Sequence, residues 1–98
     1  TDQGIATAIL DVGVNMGITR GVKMAQQACI DCGVVIGIDG KMGPVTGTAL
    51  NSISRPLWLQ KYHGLVVARY ESIITHNPSQ SVFRRGWLRR ADKLLTLV

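Results

Sequence analysis

The sequence predicts an all-α protein: a compact bundle of about five helices with a glycine-rich turn or short hairpin between the second and third. Three observations carry that expectation. Apolar residues recur at helical spacing in five separate stretches, the pattern of helices that each bury one face. The one β-branched run, Val34 to Ile38, is too short to found a sheet. Glycine or proline marks every break between the stretches, at Gly17, Gly33, Gly43-Pro44, Arg55-Pro56 and Asn77-Pro78, where the chain is expected to turn.

The elements follow in order. Ile5, Ile9, Val12 and Met16 share one face of a first helix from about Gly4 to Met16, and Gly17 stops it. Thr19 is the expected N-cap of a second helix, in which Val22, Ala25, Gln26 and Cys29 share a face and Gly33 closes the C-terminus. The two form a helical hairpin. Val34 to Ile38 reads as a brief extended segment leading into an Asp39-Gly40 turn. Pro44 opens a third helix at a position whose N–H is unpaired anyway, and Val45, Ala49, Leu50 and Ile53 give it an apolar stripe. Thr46 is placed to satisfy a free backbone donor in its first turn. Ser54 caps a fourth helix from Arg55-Pro56 to His76, along which Trp58, Tyr62, Leu65, Val66, Arg69, Tyr70 and Ile73 keep helical spacing. Ser79 or Ser81 opens the last helix, with Phe83, Trp87, Ala91, Leu94 and Val98 on one side and Arg84, Arg85, Arg89 and Lys93 on the others.

A chain of 98 residues is read as one small domain, residues 1–98, with a single job. No apolar run reaches the ~18 residues of a membrane span. Thr1 in place of a methionine reads as the start of a piece of a longer or processed protein. The net charge of +5 is unevenly divided: residues 1–54 hold three bases and four acids, residues 55–98 eight bases and two acids. A basic half calls for an acidic partner, such as nucleic acid, anionic lipid or the carboxylate-bearing bacterial wall. Cys29 and Cys32 form a lone "CIDC". Zinc normally takes four ligands, and His63 and His76 lack the local spacing, so no metal or other cofactor is expected. The thiols read as reduced, partly buried small hydrophobes.

The stretch "GIDGKMGPVTGTAL", Gly37 to Leu50, invites a nucleotide reading that its spacing refuses. A Walker loop needs a hydroxyl residue directly after its Gly-Lys, and a dinucleotide fingerprint needs a preceding buried strand. Two readings remain: a purely structural turn, or a helix start beside Lys41 whose free N–H groups suit a carboxylate.

The order "AILDVGVNMG", "GVKMAQQACIDCGVVIGIDGKMGPVTGTAL" and "FRRGWLRRADKL" resembles the C-terminal, peptidoglycan-binding portion of the glycoside hydrolase family 108 muramidases. That family includes phage endolysins and secretion-associated muramidases. The resemblance runs from Asp11 to Lys93. It implies a wall-binding module, placed in the bacterial periplasm or cell wall, that targets an upstream muramidase domain of the same chain to the sacculus for wall remodelling, lysis or protein and toxin secretion. The Asp39, Gly40, Gly43, Pro44, Thr46 element also looks like a turn element of other peptidoglycan-binding helical modules. The family's catalytic glutamate is expected in a Glu-Gly-Gly-Tyr-like motif, which is absent here.

A glycosidase of the ordinary kind needs two carboxylates flanking the bond. This chain offers Asp2, Asp11, Asp31, Asp39, Glu71 and Asp92, so it is expected to bind without cutting. Peptidoglycan presents sugar faces, carboxylates and amides, and its binder should offer aromatics, guanidinium groups and amides in return. The candidate contacts are Asn15, Gln26, Lys41, Thr46, Tyr62, Arg69, Tyr70, Arg84 and Arg90, around a structural turn of Asp39, Gly40, Gly43 and Pro44. Arg69 and Arg90 stand near apolar stripes, where a charge must be paired or face a groove. Trp58 and Trp87 read as core. Two alternatives stay open: a basic helical nucleic-acid-binding domain, against which Phe83 and Trp87 fall on the face of the basic helix read as buried, and a complete small lysozyme-like hydrolase.

Overall fold

A computed structural model describes residues 3–97; Thr1, Asp2 and Val98, the last of these assigned above to an apolar stripe, lie outside the described residues. Five α-helices follow one another: α1 Gln3–Met16, α2 Ile18–Asp31, α3 Pro44–Asn51, α4 Arg55–His76 and α5 Arg84–Asp92. Two 3-10 segments, Pro78–Phe83 and Lys93–Leu97, flank α5. No strand occurs among the described residues, so the link from α2 to α3 is a glycine-rich turn and not a hairpin.

α1 and α2 are joined by Gly17 alone. It lies at φ +97°, a left-handed conformation open to glycine at little cost. Gly17 is itself the residue before the first turn of α2, which corrects the expected cap at Thr19: Thr19 is already inside the helix. The two helices then cross closely, because a Cβ added at Gly21 would stand 3.3 Å from the Gly13 nitrogen. α2 ends as the sequence predicts. Gly33 turns left-handed at φ +94°, its N–H donates to the Ile30 carbonyl, and the Val34 N–H reaches back to the Cys29 carbonyl at 3.0 Å, the paired bonds of a Schellman closure.

α4 is the axis of the bundle, with α1, α2, α5 and both 3-10 segments against it. Trp58, Leu59 and Tyr62 are wholly buried, and each such side chain contributes roughly 1.5–3 kcal/mol of apolar burial. Trp58 and Tyr62 stack at 4.5 Å between ring centres. Their polar tips are satisfied by the backbone of α2: Trp58 Nε1 donates to the Ala25 carbonyl at 3.4 Å and Tyr62 Oη to the Gly21 carbonyl at 3.0 Å. Burial pushes the Tyr62 phenol well above its ordinary value, which keeps it a neutral donor.

Three details differ from the sequence reading. Val45, assigned to the stripe of α3, is 68% exposed, whereas Ala49 and Leu50 are buried in the core and Ile53 packs against it. Ser54 holds the N-cap position of α4, but its hydroxyl makes no cap bond; its carbonyl accepts the Trp58 N–H at 3.0 Å. The last helix is interrupted. Neither Ser79 nor Ser81 caps it, because Ser79 Oγ donates to Asn77 Oδ1 and the chain winds as a 3-10 helix through Phe83. Two serines and a β-branched valine support an α-helix poorly there, and short 3-10 turns are common at helix ends. The tighter winding leaves Phe83 half exposed, although the sequence places it on a buried face. From Ala91 to Leu94 the chain returns to the core and runs antiparallel to α1, close enough that a Cβ on Gly4 would stand 2.9 Å from the Leu97 carbonyl oxygen.

Candidate functional site

Antiparallel packing of α1 against the last segment makes a seam over α4, and the seam gathers four of the predicted contacts. Asn15, exposed near the end of α1, donates its amide to the Tyr70 hydroxyl. Tyr70 is buried to 3% exposure and stacks on Trp87 at 5.0 Å; Trp87 in turn stacks on Phe83 at 5.6 Å. The three rings lead from the core to solvent. Arg90 is exposed on α5 and close enough to act electrostatically on the Tyr70 phenol, whose titration is raised mainly by burial. Arg84 joins the same end of the seam through a 2.9 Å ion pair with Glu71, the neighbour of Tyr70 in α4. At the other end a groove of about 390 Å³ is lined by Thr7 and Asp11 of α1 and by Lys93, Leu94, Thr96 and Leu97.

Other predicted contacts are elsewhere. Gln26 is 1% exposed and holds the glycine-rich turn to α2. Its Nε2 donates to Asp39 Oδ1 at 2.9 Å, to the Lys41 carbonyl at 3.2 Å and to Thr46 Oγ1 at 3.0 Å, while its Oε1 accepts the N–H groups of Asp39 and Gly40. This corrects two expectations: the Gln26 amide is fully engaged inside the protein, and the buried Thr46 hydroxyl serves Gln26 and not a free backbone donor. Gly40 takes φ +75° to let the turn lie against Thr19 and Lys23 of α2, Gly43 holds the N-cap of α3, and Pro44 is its first residue. Lys41 is exposed beside the turn. Tyr62 is also corrected, since a phenol at 0% exposure cannot touch a polymer in solvent. Arg69, half-buried on α4, lines a separate cleft of about 400 Å³ with Ser72, Ile73, His76 and Asn77, and its Nε is buried without a hydrogen-bond partner.

Asp39 gives the turn a pH signature. Its hydrogen bond from Gln26, then that from the Lys41 N–H, hold the carboxyl below its ordinary value of 3.8. A lowered folded-state value means stability that is present above 3.8 and is lost as the pH falls through the folded value. The stability advantage of the native protein over Asp39→Asn is therefore expected to shrink in acid, as thermal melts across that range would show.

Cys29 is buried and Cys32 half-buried; both are free thiols, and burial pushes both above the ordinary thiol value. No group of three or more metal-ligating side chains forms among the described residues, and no described helix is long and apolar enough to cross a membrane. Phe83, Trp87, Asp11 and Lys93 belong to the seam although the sequence did not nominate them as contacts. The available signal was the spacing of Thr7, Asp11 and Asn15, a polar strip of period four on one side of α1.

Residues 20–92 match the family described as a predicted peptidoglycan domain. The chain belongs to that family. Peptidoglycan-domain membership gives the chain a cell-wall binding role, with peptidoglycan as the partner. The matched span covers α2 to α5 and so includes the Gln26-held turn, Tyr70 and the aromatic stack, whereas α1 and the final 3-10 segment lie outside it. Comparison with curated proteins and with solved structures gave no match.

Proposed function

We propose that the seam is the face that holds peptidoglycan, and that the domain is the C-terminal targeting module of a muramidase of glycoside hydrolase family 108. The observation that carries the reading is the Tyr70–Trp87–Phe83 stack, which runs from a buried phenol joined by Asn15 and close to Arg90 out to the half-exposed Phe83 ring, followed in the chain by Arg84. A flat apolar ring suits the face of a pyranose, and guanidinium groups beside it suit stem-peptide carboxylates. The module binds without cutting: Glu71 accepts from Arg84 Nε on the surface, an ion pair and not half of a two-carboxylate site. An upstream muramidase lobe of the same chain, working in the periplasm or wall, would be held on its substrate for remodelling, lysis or secretion. Cross-link type would be read by polar groups that the wrong linkage leaves unpaired. Lys41 and Arg69 stand on other faces and would meet only a polymer that wraps the domain.

Co-sedimentation with purified sacculi at physiological salt tests this. The protein is expected in the pellet, and Arg90→Ala should weaken binding about fivefold, the order of one exposed charge-assisted contact. Protein left in the supernatant with sacculi, but shifting DNA at the same salt, would replace the wall with nucleic acid as the ligand.

A further inference from the structure

The groove between Thr7, Asp11, Lys93 and Thr96 is separate from the aromatic stack and outside the family match. We infer that it takes the head of a free α-amino acid, ammonium and carboxylate together, as carried by an uncross-linked diamino acid in a stem peptide; this rests on the wall-binding reading above.

The charges in the groove argue for such a ligand. Asp11 is half-buried, and its carboxylate makes no hydrogen bond or ion pair with any described residue. Behind it lie the phenols of Tyr62 and Tyr70, both of which feel its field, so the carboxylate is backed by groups that offer it no counter-charge. Lys93 is likewise unpaired among the described residues, since the neighbouring Asp92 is taken by His63 at 2.9 Å. One groove therefore presents an anion and a cation that do not satisfy each other. A simple anion would answer Lys93 and repel Asp11, and a neutral sugar would answer neither. A zwitterionic head answers both, with charge-assisted hydrogen bonds in each direction.

The remaining lining fits the same occupant. The Thr96 hydroxyl spends its proton on the Lys93 carbonyl at 2.6 Å, which leaves its oxygen to accept from an ammonium. Thr7 adds an exposed hydroxyl that donates or accepts. Leu94 and Leu97 supply an apolar floor for the methylene chain of a diamino acid. When a stem peptide is cross-linked through that amine, the ammonium becomes an amide. The groove then loses the partner of Asp11, so it distinguishes free from linked peptides.

The test compares untreated sacculi with sacculi whose free amines have been acetylated, which removes ammonium groups and keeps carboxylates. The protein should bind acetylated sacculi about tenfold more weakly, the scale of one partly desolvated ion pair. Asp11→Asn should bind both preparations equally, at the level the native protein shows on acetylated material, with an unchanged melting curve. In parallel, free diaminopimelic acid should shift the backbone amide resonances of Thr7, Asp11 and Thr96, and its N-acetylated form should not. If acetylation leaves binding unchanged while the protein still sediments with sacculi, the groove is not an amino-acid site and the wall-binding reading stands. Sedimentation with neither preparation overturns the wall-binding reading and this inference with it.

Discussion

Gln26→Leu is expected to lower the melting temperature by about 15 °C. Leucine fills nearly the same volume but has no polar atoms, so the substitution strands the groups that Gln26 now joins: the N–H groups of Asp39 and Gly40, the Lys41 carbonyl and the Thr46 hydroxyl. A buried group left without its hydrogen bond costs about 1–3 kcal/mol, and all of these but the buried Thr46 hydroxyl are only partly buried, so water recovers part of the loss. A net cost of about 3 kcal/mol follows, and each kcal/mol moves the midpoint of a domain this size by about 4–8 °C. The left-handed Gly40, pressed against Thr19 and Lys23, would lose its anchor first, so its amide should exchange fastest. A circular-dichroism melt within about 3 °C of the native protein would show that the turn is held by something other than Gln26.

Trp87→Ala is expected to weaken sacculus binding by about thirtyfold with a far smaller loss of stability. Trp87 is the middle ring of the stack, with Tyr70 on one side and Phe83 on the other. Its removal leaves Phe83 without the neighbour that fixes its plane. Truncating a central aromatic contact commonly costs about 2 kcal/mol or more of binding energy. Trp87 is half-buried, and the core beneath it is closed by Ala91, Leu94 and Tyr70. Titrating sacculi against a fixed protein concentration gives the affinity, and a melt of the same sample confirms folding. A folded Ala variant that binds at full strength would remove the stack from the site.

The helices were legible in the sequence because each is a local matter. Apolar spacing placed α1 to α4, Pro44 marked the start of α3, and Gly33 marked the end of α2 with the closure observed. What escaped were joints and long-range encounters. A glycine two residues before a threonine reads as a stop followed by a cap, yet Gly17 performs both tasks and Thr19 neither. The 3-10 winding of the Pro78–Phe83 segment escaped because apolar spacing carried the last helix back through it, although its serines and valine favour an α-helix poorly. Among the candidate contacts, Arg69 lines a cleft as its place near an apolar stripe suggested, whereas Arg90, read the same way, is exposed. Gln26, Thr46 and Tyr62 were misassigned because a polar group on an apolar face looks the same whether it meets a ligand or another part of the chain. The pairing of Asn15 with Tyr70 spans 55 positions, and nothing in either helix alone announces it.

The single-residue elbow at Gly17 has a mechanical consequence. With φ at +97° and no atom within 4 Å of where a Cβ would stand, the elbow is limited by backbone torsion and not by crowding. Any bulkier substituent there would twist the first rod of the bundle away from its neighbours and prise apart the polar strip that lines the seam. Adhesion would then fail through a hinge that touches no ligand.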